Sequence, residues 1–503
     1  MQREMKLAGW IALLTCPALL IAAPSCDQIA LLRLPHARVN TSELVAAGTF
    51  KQPENARDVN AFRKLPAFCR VTATLNPTAD SNIKIEVWLP QSGWNGKLQS
   101  VGNGAWGGVI GYQALATAVA AGYAAASTDT GHEGNNANFI LDHPEKLIDF
   151  GYRAAHEMTA AAKTIVAGYY SAAAKFSYWN GCSTGGRQAM AEIQRYPDDY
   201  DGVIAGDPVG YSTHIQGAQL WLWQIFHENE ASSIPPEKYA LFHNAVLEAC
   251  DALDGVKDGV LEDPRRCHFD PEALACKNGD GPNCLTPAQV KAAQKAYAGP
   301  INSKTGQQIY PGRERGSELL WGVHSGPQPS SYAAELYKFI VFKDPAWDYR
   351  TFNLEKDVAY ADRTASDAMN SIDPNLKPFF GHGGKLIQYH GWNDDGVAPQ
   401  GSVNYYNSVA DAMGGVEQVR DSYRLFMVPG MGHCRGGGTD TFDMVSALDQ
   451  WVEQRQAPAQ VIASRMTNGT VDRTRPLCPY PQIAVYKGTG NTDDARNFTC
   501  KAP

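Results

Sequence analysis

The chain has 503 residues, 44% of them hydrophobic and 19% charged, with a formal net charge of −8. Such a length can bury a large core and accommodate more than one domain. The acidic balance excludes the electrostatic footprint of a nucleic-acid binder or of a protein held on an anionic membrane.

In chain order, residues 1–25 come first. Arg3 and Lys6 precede an apolar run from Trp10 to Ala23 that contains Pro17, and small residues follow. This pattern predicts a secretory signal peptide and an exported protein, periplasmic or extracellular. No later apolar run reaches transmembrane length. Helical hints lie at Ser42–Ala47 and Ala56–Arg63. Strand signals follow at 68–75, 83–89 and 97–101, then a helix at 114–121 and a strand at 123–127. A long Ala-rich helix is expected over 152–173, a strand over 175–179, a helix over 187–193 and a buried strand over 200–206. Strands alternating with helices predict a largely parallel sheet covered on both faces. From 210 to 372 this rhythm lapses into a Trp- and Pro-rich stretch with four cysteines, which reads as an inserted lid. Strands return at 385–390 and 424–428, with helices at 403–413 and 441–453. The catalytic domain is therefore expected over 26–209 and 373–503.

The chemistry concentrates at Gly181-Cys182-Ser183-Thr184-Gly185, a G-x-S-x-G pattern with a β-prone run before it and a helix-prone run after it. In this pattern a strand turns sharply at serine into a helix, and the glycines permit backbone contacts that a Cβ would block. A serine hydroxyl needs a base within reach, and the base needs an orienting carboxylate. In α/β-hydrolases these follow in the order Ser, acid, His. Strand 385–390 exits into Asp394 and Asp395, and spacing leaves both open as the acid. Strand 424–428 exits into His433, the sole histidine after Asp394. The oxyanion hole is expected from the amides of Thr184 and Asn103, the latter in the Gly102-Asn103-Gly104 loop.

With Cys16 in the leader, ten cysteines remain, an even number in an oxidising compartment. Economical local pairs are Cys250–Cys267, Cys276–Cys284 and Cys478–Cys500, with Cys26–Cys69 as a fourth. That leaves Cys182 with Cys434, beside the serine and the histidine. Asn40, Asn468 and Asn497 sit in glycosylation sequons, which carry no meaning in a bacterial host.

Cys182-Ser183, the Asp of Gly391-Trp392-Asn393-Asp394, and His433-Cys434 together resemble the CS-D-HC signature of the tannase/feruloyl esterase family. The resemblance extends to Val428-Pro429-Gly430-Met431 and Arg475-Pro476-Leu477-Cys478-Pro479. It implies an α/β-hydrolase fold with a large lid, Asp394 as the acid, and the Cys182–Cys434 bridge. It further implies a structural Ca²⁺ in the lid held by Asp251, Asp254, Val256, Asp258 and Val260, the last and third through backbone carbonyls. On chemistry alone that loop is either an oxygen-ligand site or a solvated acidic turn. The implied activity is hydrolysis of esters of aromatic, feruloyl-type acids on small molecules or plant polymers, through an acyl-enzyme. Tannase and mono(2-hydroxyethyl) terephthalate hydrolase are the rivals within the family, and a catalytically silent calcium-binding exported protein is the rival outside it. Against the terephthalate activity, that enzyme's glutamate after the nucleophile and phenylalanine after the acid correspond here to Thr184 and Val397. Trp321, Tyr332, Tyr337 and Phe339 are either clamps for an acyl ring or lid core.

Overall fold

The computed structural model describes residues 25–53 and 59–503. The expected leader lies outside them except for Ser25, as does the first part of the helical hint at 56–63.

Nine strands form the central sheet: β1 (Ala37–Val45), β2 (Phe68–Leu75), β3 (Ile83–Pro90), β4 (Lys97–Val101), β5 (Ala124–Thr128), β6 (Phe176–Cys182), β7 (Gly202–Gly206), β8 (Lys385–Gly391) and β9 (Tyr423–Val428). Their order is β1-β2-β3-β5-β4-β6-β7-β8-β9. From β5 to β9 neighbours run parallel, whereas β1, β2 and β3 add an antiparallel edge. The helical hint at Ser42–Ala47 is corrected here: residues 42–45 belong to β1. Pairing with β2, from Ala37 opposite Leu75 to Val45 opposite Phe68, outweighs a weak local preference.

Alternation along the strands divides the core in two. Trp179, Val203, Leu386 and Leu425 face one side, and Tyr178, Ile204, Ile387 and Phe426 the other. The first side is covered by three helices: α2 (Ala154–Tyr170), α3 (Thr184–Arg195) and α8 (Gln400–Met413). The second is covered by α1 (Tyr112–Ala120) and α9 (Met444–Gln454). β4 and β5 are buried along their whole length, which places them at the interior of the sheet with cover on both faces. Lys97, mostly buried, reaches Asp449 and Glu453 on α9 and pins that helix to the sheet.

β7 and β8 are neighbours in the sheet, with Val203 opposite Leu386. Residues 207–384 therefore leave the sheet and return beside the point of departure. This excursion is helical, with α4 (Ser212–Phe226), α5 (Pro236–Cys250), α6 (Pro287–Ala298) and α7 (Leu354–Thr364). It packs its own cluster around Phe226, Phe242, Val290 and Trp321. A second cluster, in which Trp106 and Phe150 meet Leu220, Leu336 and Tyr337, seats it on the sheet domain. Five disulfides form: Cys26–Cys69, Cys182–Cys434, Cys250–Cys267, Cys276–Cys284 and Cys478–Cys500.

The loop after β4 lies directly on the start of α3. A Cβ on Gly102 would stand 2.5 Å from the Cα of Gly185, a backbone atom that cannot step aside. Gly102→Ala is expected to destabilise the protein by about 1–3 kcal/mol, the usual cost of overpacking. Urea unfolding with an unchanged midpoint would contradict this packing.

Candidate active site

β6 ends at Cys182, and α3 begins one residue after Ser183. Ser183 takes φ 63° and ψ −120°, a conformation strained for a residue with a side chain. The neighbours hold it there. Its N–H donates to Gly206 O at 3.0 Å, and its carbonyl accepts from Arg187 N–H at 3.0 Å. A Cβ on Gly181 would meet the Gly185 carbonyl at 2.6 Å, and one on Gly186 would meet Gly206 O at 2.3 Å. The elbow thus closes only because these positions are glycine.

The loops after β8 and β9 bring the other two residues to the serine. His433 Nε2 is 2.8 Å from Ser183 Oγ, and His433 Nδ1 is 2.6 Å from Asp394 Oδ2. In the tautomer this arrangement requires, Ser183 Oγ–H donates to Nε2 and Nδ1–H donates to Asp394. The buried Asp394 is braced on its other oxygen by the N–H groups of Gly396 and Val397, both at 2.8 Å. Burial pushes its carboxyl upward, yet the His433 and His390 imidazoles hold it well below the usual carboxylate range. Burial pulls His433 down, but the Asp394 charge outweighs it and raises the imidazole to about 9. Asp395 is engaged elsewhere, 3.2 Å from His324 Nε2. The Cys182–Cys434 disulfide ties the serine loop to the histidine loop.

The Thr184 N–H, first in α3, has no partner within the helix and is available to an oxyanion. The expectation for Asn103 needs correction. Its amide donates to Gln188 Oε1 at 3.0 Å, and its carboxamide nitrogen donates to Thr128 O and Val109 O. Asn103 therefore shapes the loop, and Gly104 is the next residue whose N–H has no partner among the described hydrogen bonds.

A cavity of about 420 Å³ opens over Ser183 and His433. Its walls include Val209, Gln216, Gln219, Tyr332, Asp395 and Val397. Of the four lid aromatics singled out in the sequence, Tyr332 lines this cavity. Trp321 and Tyr337 are buried in lid clusters, and Phe339 packs against one of them. Sequence reasoning missed Gln216, Asp207 and His390. The His390-Gly391 step into the acid loop and Asp207 at the exit of β7 were visible signals.

In the acidic lid loop, Asp254, Val256, Asp258 and Val260 surround a void of about 20 Å³ together with Glu262. Asp251 stands behind it and accepts the Gly259 N–H. Asp258 also pairs with Arg473 and Arg475. An all-oxygen donor set around a space of one water or ion fits a hard divalent cation.

Residues 69–501 match the family described as tannase and feruloyl esterase. The chain is 35% identical to an uncharacterized esterase of Xanthomonas campestris pv. campestris, covering 98% of this chain and 93% of that one. It is 34% identical to a probable feruloyl esterase B-2 of Neosartorya fischeri, over 93% of this chain and 94% of the relative. The crystal structure of feruloyl esterase B from Aspergillus oryzae superposes with a TM-score of 0.88 at 31% identity, covering 95% of this chain and 99% of that one.

The site predicts an alkaline-shifted rate profile. A base must be neutral to accept the serine proton, and a raised pKa keeps His433 protonated to higher pH. Accordingly kcat/KM should climb between pH 6.5 and about 9, and an acid limb at or below 6.5 would contradict the Asp394–His433 geometry. Ser183→Ala should lower kcat by at least ~10⁴-fold on any ester the wild type cleaves.

Proposed function

The chain belongs to the tannase and feruloyl esterase family and is a carboxylic ester hydrolase, and we propose that it takes esters of uncharged phenolic acids of the hydroxycinnamic type. In this reading Ser183 Oγ attacks the ester carbonyl while His433 Nε2 takes its proton. The oxyanion is received by the N–H groups of Thr184 and Gly104. His433 then returns the proton to the leaving alcohol, and water releases the acid from the acyl-enzyme in a second cycle of the same steps. Asp394 stays ionised and stabilises the imidazolium.

The observation that carries the acyl preference is the charge of the cavity wall. No lysine or arginine is among the lining residues, and the one carboxylate there, Asp395, is paired with His324. A terephthalate monoester would bring a carboxylate into that wall with no lysine or arginine to meet it. A phenol brings a neutral donor instead. Gln216 and Gln219 lie three residues apart on α4 and line the cavity; Gln219 Nε2 donates to Gly396 O, and among the described residues the buried Gln216 Oε1 has no hydrogen-bond partner. A buried acceptor without a donor favours a ligand that supplies one.

Two further parts of the reading concern the setting. The protein acts outside the cytoplasm, a proposal supported by its five disulfides. Among the described residues no helix is long and apolar enough to cross a membrane. The lid loop holds Ca²⁺ through Asp251, Asp254 and Asp258 and the carbonyls of Val256 and Val260. When bound, the ion would neutralise crowded carboxylates and stiffen the lid loop, and it takes no part in the ester chemistry.

Methyl ferulate should be cleaved at least ~100-fold more efficiently (kcat/KM) than mono(2-hydroxyethyl) terephthalate, a difference of about 2.7 kcal/mol. Gln216→Leu should cut kcat/KM about tenfold on methyl ferulate but spare methyl 3,4-dimethoxycinnamate, which lacks the phenolic hydroxyl. Equal turnover of ferulate and terephthalate esters would refute the charge argument. For the metal, Ca²⁺ at about 100 times its Kd adds ~2.7 kcal/mol of stability. Excess EGTA should therefore lower Tm, and Asp254→Ala should abolish the Ca²⁺ response. A Tm that ignores both would remove the metal from the reading.

A further inference from the structure

Behind Asp394 runs a line of buried polar groups to which the steps above assign no task. His390, fully buried at the end of β8, places Nε2 at 3.2 Å from Asp394 Oδ2 and 3.0 Å from Val397 O. Both neighbours are acceptors, so this nitrogen carries a proton. Nδ1 lies 2.6 Å from Ser402 Oγ on α8. Ser402 Oγ accepts from Gln388 Nε2 at 2.7 Å, and Gln388 Oε1 in turn accepts the Tyr423 hydroxyl. Three side chains, from β8, β9 and α8, thus fix the imidazole and point one N–H at the acid of the triad.

A second buried carboxylate shares the site. Asp207, at the exit of β7, accepts the Gly391 N–H at 3.0 Å and lies 3.6 Å from His390 Nε2. Carboxylate oxygens of Asp207 and Asp394 and a ring nitrogen of His433 all lie within 4.8 Å of one another. Two carboxylates this close in a buried site compete for a proton unless donors separate them. Burial, reinforced by the Asp394 charge, outweighs the two imidazoles and the Gly391 N–H and raises Asp207 to about 6.

We propose that His390 is a positioning residue of the reaction: its Nε2–H, directed at Asp394 Oδ2 and the Val397 carbonyl with the Asp207 carboxylate 3.6 Å away, keeps Asp394 ionised and aimed at His433. The proposal rests on the Ser183–His433–Asp394 reading and adds to it a member that touches neither substrate nor reacting atom. With His390 in place, Asp394 receives four donors: His433 and His390 on Oδ2, and the Gly396 and Val397 amides on Oδ1. Without it, proton affinity in the cluster rises, whether the proton settles on His433 or on a carboxylate. The first withholds the neutral base, and the second removes the anion that orients it and stabilises its imidazolium. The other charged or titratable groups facing the cluster are Arg313 and Tyr310 from the lid, which act on Asp394, Tyr389 on β8, which acts on Asp207, and Asp395 in the acid loop, which raises His433. All four are unchanged in the variants below.

The test compares the wild type with His390→Leu, His390→Gln and Asp207→Asn on methyl ferulate from pH 5 to 10. Ser183→Ala runs beside them, and a fluorophosphonate titration gives the active fraction. The Leu variant should lose about 10- to 100-fold in kcat, the range typical of lost outer-sphere partners, with KM little changed. Its acid limb should move up by about one pH unit. Gln, which can return a donor near the position of Nε2, should restore the limb. Asp207→Asn removes a negative charge and should move the limb down, a readout that survives even if the Leu variant does not fold. A folded Leu variant with the wild-type limb, or a limb indifferent to Asp207→Asn, overturns the proposal. An active Ser183→Ala would instead overturn the esterase reading beneath it.

Discussion

Everything in the site depends on how closely four stretches of backbone approach one another around Ser183. The end of β6, the start of α3, the loop after β4 and the exit of β7 meet with Gly181, Gly185, Gly186 and Gly102 between them. At each a methyl group would fall within about 3 Å of main chain. The strained serine is not held by its own side chain. It is held because the surrounding backbone leaves one geometry available, and hydrogen bonds from Ser183 N–H to Gly206 and from Arg187 to Ser183 lock that geometry. The hydroxyl is presented by a rigid mount, which spares the reaction the entropy of finding it.

From that mount the remaining parts follow by sheet order. β6, β7, β8 and β9 are consecutive neighbours, and each contributes one charged or nucleophilic group just past its C-terminal end: Ser183, Asp207, Asp394 and His433. Ligand sites of open α/β sheets lie beyond those same strand ends. The lid leaves from the β7 exit, which places its first helices over this edge before the chain returns to the start of β8. Its helix α4 closes the cavity and is anchored to the acid loop by Gln219, which donates to Gly396 O. Gly396 also donates to Asp394, so the cavity wall and the orientation of the acid share one turn of backbone.

Much of this was legible in the sequence, for identifiable reasons. The G-x-S-x-G elbow is local, and the order of serine, acid and histidine is a property of topology. An even cysteine count with short local spacings left one long-range pair, and five bridges formed as that arithmetic suggested. What escaped was decided by partners distant in sequence. Asn103 looked like a free donor because nothing nearby says that Gln188, 85 residues on, takes its amide. Residues 42–45 carry a helical hint that pairing with β2 overrides. Tyr332 and Tyr337 are indistinguishable by type, and only packing sends one to the cavity and the other to the core. Asp207 and His390 stand at visible strand exits, but their part in the site was not read, because a buried carboxylate and a buried imidazole gain meaning from each other.

The Cys182–Cys434 bridge has a topological consequence. Its two sulfurs bracket the whole lid at a sequence separation of 252. One backbone cut anywhere inside that span, including any exposed lid loop, leaves both pieces in a single covalent molecule. The bridge also lies next to both Ser183 and His433, so the cut ends are free to drift while the two reacting side chains are not. A nicked enzyme would thus migrate as one species without reductant and as two with it.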